Sequence, residues 1–125
     1  MADEIDRLSA ELASDPGSLA FLRLAELLRA RGDLADAARI AVRGRDRHPT
    51  EAAAYDLIAR IAADRGDASA AATAWEQLLQ LDAQHVGALK GLAFLAFRDG
   101  RLGEATARLE QALAVTPDDA SLRAA

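Results

Sequence analysis

Two histidines, His48 and His85, are the only side chains in this sequence whose ordinary titration falls near neutral pH. Acid–base or nucleophilic catalysis needs such a group beside a nucleophile, an orienting carboxylate or a metal-ligand set. Neither histidine has that company, and the chain has no cysteine to serve as nucleophile or zinc ligand. Glycine-rich phosphate loops, HExxH and GxSxG patterns are also missing. Both histidines therefore read as structural residues in turns. The chain reads as a non-enzyme that needs no cofactor and no metal.

Two other groups of residues suggest binding. Arg39, Arg43, Arg45 and Arg47 could hold phosphate or an anionic membrane surface, but Asp36 and Asp46 lie among them and the net charge is −5. Nucleic-acid affinity rests on Lys and Arg neutralising phosphates, so an acidic chain argues against it, and these arginines read as a solvated helix face. Phe94 and Phe97, three apart, share one face of a helix. Trp75 reads as core filler.

The elements that carry these residues follow from composition and period. Of 125 residues 51% are hydrophobic but only 4% aromatic, with alanine abundant. Alanine is the best helix former and is depleted in strands, so the interior must be closely approaching helices. There is no apolar run of about 18 residues, as a spanning helix would need. The opening Met1-Ala2-Asp3-Glu4-Ile5-Asp6 also lacks the basic-then-apolar layout of a signal peptide. The expectation is a cytoplasmic chain of one domain without membrane association. Lys90 is the only lysine, and the preference for Arg with Ala is the usage of a GC-rich bacterial genome.

A repeat organises the chain. Ala-Arg-Gly-Asp at 30–33, Asp-Arg-Gly-Asp at 64–67 and Arg-Asp-Gly-Arg at 98–101 place Gly32, Gly66 and Gly100 at a constant step of 34. Ala25, Ala59 and Ala93 keep the step, as do Ala37, Ala71 and Ala105. Each unit reads as two helices. The first carries a stripe such as Phe21, Leu24, Ala25, Leu27 and Leu28 and ends at the glycine, which takes the left-handed C-cap conformation at least cost. Asp33 and Asp67 then read as N-caps, with second helices over 34–47, 68–81 and 102–115. Pro49 and Pro117 suit the first turn of the helix that follows, and Asp15-Pro16 reads as the start of another.

These positions resemble the tetratricopeptide-repeat (TPR) family, whose pattern repeat 1 meets with Phe21, Leu24, Ala25, Leu28, Gly32, Ala37, Ala41, Gly44 and Pro49. Repeat 2 meets it with Tyr55, Ile58, Ala59, Ala62, Gly66, Ala71, Trp75 and Leu78, with Ala83 in place of the proline. Repeat 3 supplies Leu89, Leu92, Ala93, Ala96, Gly100, Ala105, Leu109, Ala112 and Pro117. The resemblance implies an all-α, right-handed α-solenoid of antiparallel helix pairs. Its units would be a capping helix over 1–14, repeats over 15–48, 49–82 and 83–116, and the start of a second cap over 117–125. It also implies a concave groove lined by the first helices, presenting Leu19, Leu22, Glu26, Arg29, Asp56, Arg60, Asp64, Lys90, Phe94, Phe97 and Arg98. Some members clamp a C-terminal carboxylate with Lys and Asn. This chain has no Asn, and Leu22, Glu26, Leu57, Gly87 and Gly91 stand where that clamp would be.

The expected function is a protein-interaction adaptor holding a helix or peptide of another protein in the groove. The alternatives are an N-terminal regulatory segment of a larger enzyme or signalling protein and a homo-oligomeric, self-assembling module. Two rings outside the core stripe need a cover, and two are open for Phe94 and Phe97: residues 117–125, or a partner.

Overall fold

The computed structural model describes residues 3–118. They form seven α-helices: α1 (Glu4–Ser14), α2 (Ala20–Ala30), α3 (Leu34–Arg47), α4 (Ala52–Asp64), α5 (Ala68–Leu81), α6 (Val86–Arg98) and α7 (Leu102–Val115). The second-helix ranges read from the sequence coincide with α3, α5 and α7. Three of the turns between helices share one cause. Gly32, Gly66 and Gly100 have φ of +87°, +77° and +77°, a region that costs other residues steric strain. There the chain reverses with two backbone bonds back into the helix, as in Asp67 N–H to Ala62 O at 2.9 Å and Gly66 N–H to Ala63 O at 3.0 Å.

Each helix packs on the next along the chain, and α2 also packs on α4. Alanines are fully buried on both helices of each of the first two pairs: Ala25 and Ala37, Ala59 and Ala71. Where one helix carries a large side chain, its neighbour gives way. The Phe21 ring lies over Gly44, where a Cβ would stand 2.0 Å from it. The indole of Trp75 lies over Gly91, where a Cβ would stand 2.6 Å away. Leu89 of α6 meets Ala112 of α7 in the same sense. Ala41 and Leu57 occupy, one repeat earlier, the positions of Trp75 and Gly91, so one site holds small-then-large and the next large-then-small. The filled volume is kept while the shape of each layer differs, as close packing requires.

At the start of the chain α1 lays Ile5, Leu8 and Leu12 on the core cluster around Leu24 and Leu57, as a cap should. Arg23 of α2 donates through Nε and Nη2 to Glu4, both at 3.1 Å, and this holds the Glu4 carboxyl below its ordinary range. A lowered carboxyl pKa stabilises the fold above the ordinary carboxylate range, and that contribution fades as acid protonates Glu4.

Three expectations need correction. Asp33 does not cap α3 with its side chain. Its Oδ2 instead accepts from Arg31 Nε at 2.8 Å, a pairing that raises the Arg31 pKa. Only Asp67 makes the expected cap, to Ala70 N–H at 3.0 Å. Asp15-Pro16 lies in a turn, and α2 starts at Ala20, where Ser18 Oγ accepts the Ala20 N–H at 3.0 Å. Pro49 likewise lies in the turn before α4, not in its first turn. The helix expected after Pro117 falls mainly on residues outside the described range.

Ala59 has no exposed surface and belongs to the cluster with Ala71, Trp75 and Leu92. Ala59→Leu is expected to destabilise by about 1–3 kcal/mol through overpacking, measured as a lower urea midpoint at unchanged slope.

Candidate partner-binding groove

All eleven residues expected in the groove lie on the first helices or, for Leu19, at the N-cap of α2, and each keeps some exposure to solvent. α2 places Leu22, Glu26 and Arg29 at successive turns of one face. Leu22 is half-buried against the core cluster of the first pair, and Leu19 is 51% exposed.

The charged members are largely occupied with one another. Arg29 donates from Nη1 to Glu26 Oε1 at 2.9 Å. Its Nε lies 2.7 Å from Oδ2 of Asp64 on α4, a close ion pair without the alignment of a hydrogen bond. This bridge joins α2 to α4 where they pack. Such partly exposed pairs contribute up to about 1 kcal/mol, so the bridge orients the helices more than it stabilises them. On α4, Arg60 Nη1 is 4.0 Å from Asp56 Oδ2, and Asp56 Oδ1 accepts the indole N–H of Trp75 at 3.0 Å. Trp75 thus reaches from α5 to the groove residue Asp56 on α4 while its ring covers Gly91 on α6. The sequence reading missed this second role; Trp75 facing a glycine where the preceding repeat has Ala41 facing Leu57 was the available signal.

α6 differs from the other first helices. Lys90 is half-buried, whereas Phe94 and Phe97 are 56% and 65% exposed. The Arg98 guanidinium sits over the Phe94 ring at 5.6 Å, within cation–π range. Among the described residues no carboxylate lies within ion-pair distance of Arg98, in contrast to Arg29 and Arg60. The structure brings together Glu26, Arg29 and Asp64, then Asp56 and Arg60, then Phe94 and Arg98. The first apolar end, Leu19 and Leu22, stays apart from the second.

The histidines are built into the turns. His48 ends α3; its ring stacks on Phe21 at 5.8 Å and 7°, and its Nε2 lies 2.8 Å from Gly17 O. His85 is the N-cap of α6, where Nδ1 accepts from Ala88 N–H at 3.0 Å. On the second helix of the first pair, Arg39 is paired with Asp36 at 2.8 Å and Arg45 with Asp46 at 3.1 Å, as a solvated face would be. Among the described residues no group of three His, Cys, Asp or Glu is placed to hold a metal ion, and no helix is long and apolar enough to cross a membrane.

A family model described as "Tetratricopeptide repeat" matches residues 62–125, a little over half of the chain. Cellulose synthase operon protein C of Xanthomonas axonopodis pv. citri (strain 306) is 39% identical over 90 residues, 72% of this chain but 6% of that protein. The chain therefore spans a small fraction of that relative's length. Among solved structures, MamA superposes with a TM-score of 0.84 at 18% identity, covering 98% of this chain and 80% of MamA. TTC0263, a thermophilic TPR protein of Thermus thermophilus, gives 0.82 at 25% identity, covering 96% and 68%. YrrB, described as a TPR protein with an unusual peptide-binding site, gives 0.82 at 14%, covering 95% and 62%.

His85→Gln should lower stability by about 0.5–2 kcal/mol, the range of a lost N-cap, and His48→Gln should lower it through the lost ring stacking on Phe21 and contact to Gly17 O; both should leave partner capture unchanged. Thermal melts and a pull-down on the double variant check both halves.

Proposed function

This chain belongs to the tetratricopeptide-repeat family, a right-handed α-solenoid used as a protein-interaction scaffold, and from that premise we propose that it is a non-catalytic adaptor. It holds a helix or peptide segment of another protein on the face formed by α2, α4 and α6, with repeats spanning 15–48, 49–82 and 83–116. The observation that carries this reading is the contrast along that face. Its charges on α2 and α4 are satisfied within the chain, while two phenyl rings on α6 stay exposed. The direct packing of α2 on α4 supports the face as the inner, concave side. Apolar anchors would give affinity, and the charges flanking them register.

The histidines support a non-catalytic role, since each is committed to a backbone or ring contact at a helix end. A second reading, a regulatory TPR segment working within a larger protein, draws on the relative in which the matching part is 6% of the length. The two readings share the same groove and differ in whether the partner is a separate chain. The proposed compartment is the cytoplasm.

A pull-down with quantitative mass spectrometry from the source cells tests the adaptor reading. Leu22→Glu combined with Phe94→Glu should deplete the captured partner at least tenfold, the scale of a lost interface anchor. Arg39→Glu on the opposite helix layer should leave it unchanged. Depletion by Arg39→Glu alone would place the binding surface on the second helices and contradict the proposal.

A further inference from the structure

Four arginines lie on α3, and their surroundings divide them. Arg39 and Arg45 are paired with Asp36 and Asp46. Arg43 and Arg47 are exposed, and among the described residues no carboxylate lies within ion-pair distance of either. They stand one helical turn apart on one edge of α3, so their guanidinium groups can converge on a single anion. The repeat does not require them, since the same positions are Gln77 and Leu81 on α5 and Gln111 and Val115 on α7.

Beside that edge, α3 and the end of α1 leave a cleft of about 490 Å³, within the size range of small-molecule sites. α1 and the turn after it contribute Leu12 and Pro16, α3 contributes Ile40, and Phe21, seated over Gly44, closes the base. Leu12 and Ile40 are only partly buried by the core cluster they join, so apolar surface remains in the cleft. Its residues come from α1, α2 and α3, at the end of the stack opposite α7.

We infer that this cleft binds a small aliphatic carboxylate, its head held by Arg43 and Arg47 and its chain laid along Leu12, Pro16 and Ile40. The inference is independent of the groove reading. Charge selects the head: the lining holds two guanidinium groups and one carboxylate, Asp46, which leaves one net positive charge. A carboxylate matches that, whereas a phosphate monoester brings nearly two negative charges. The lining selects the body, because its one aromatic ring, Phe21, is 2% exposed and stacked on His48, so no ring face is free for an aromatic ligand. A protein partner is the poorer occupant. None of the large exposed apolar side chains lines the cleft, so a protein surface would find no apolar anchor there beyond the cleft itself.

NMR titration of the full chain with octanoate tests this, with acetate and octylammonium as comparison probes. Octanoate should shift the Gly44 amide and the side-chain Nε–H signals of Arg43 and Arg47. Octylammonium should leave them in place. Affinity should rise at least about tenfold from acetate to octanoate as methylene groups are buried. Arg43→Gln with Arg47→Gln should weaken octanoate at least about tenfold at an unchanged thermal midpoint, because neither side chain has an ion-pair partner to lose. Failure of octanoate to bind, equal shifts by octanoate and octylammonium, or equal affinity for acetate and octanoate overturns the inference, and none of these comparisons needs a variant. Octanoate binding that ignores the double change, or that centres its shifts on Phe94 and Phe97, overturns it too. So does a short peptide ending in leucine that binds the cleft more tightly than octanoate, which would assign the site to a protein terminus.

Discussion

Neighbouring helices in this chain approach one another at residues with little or no side chain, and a ring or branched chain from the facing helix fills the space beside each contact. Phe21 over Gly44 and Trp75 over Gly91 are the extreme cases, where a single added methyl group would overlap the ring. The alanines at Ala25, Ala37, Ala59 and Ala71 perform the same task with less contrast. No helix of this length is stable alone, so packing decides whether helices form at all. The stack in turn sets the spacing of α2, α4 and α6, and with it the spacing of every groove residue.

That dependence explains why the face of α2, α4 and α6 is uneven. α2 and α4 pack directly and add the Arg29–Asp64 bridge. Between α4 and α6 the indole of Trp75 is interposed, hydrogen-bonded to Asp56 and resting on Gly91. The core residue of one pair thereby fixes the orientation of a groove carboxylate in the same pair and the seat of the next. Charges at the α2–α4 end are consumed in holding the scaffold, and the α6 end keeps its rings and Arg98 turned outward. The residues that hold the scaffold and those left exposed on α6 are separable even though they share helices.

Much of this was legible in the sequence because the repeat supplies three readings of each position. Glycine at a step of 34 identified the turns, and the three second-helix ranges followed from it. Legibility failed where one copy departs from the others. Asp33 and Asp67 look alike in sequence and each follows an arginine two residues earlier, yet Asp33 pairs with Arg31 while Asp67 makes the cap. Asp15-Pro16 resembles a helix start, but Ser18 provides the acceptor for the first N–H of α2. Which residues share the face of α2, α4 and α6 could be read from register alone. Their pairing could not, since Arg29 to Asp64 and Trp75 to Asp56 are contacts between helices whose relative tilt depends on the volumes packed between them.

The central claim is that facing helices are matched by volume, and a double-mutant cycle on Trp75 and Gly91 tests it most directly. Trp75→Ala alone opens a cavity and should cost about 3–5 kcal/mol, and Gly91→Leu alone should also destabilise because the indole occupies that space. Together they recreate the Ala41–Leu57 arrangement of the preceding repeat, so the double variant should be more stable than the sum of the single effects predicts by about 1–3 kcal/mol. Additive effects in urea unfolding would contradict volume matching as the organising constraint of this fold.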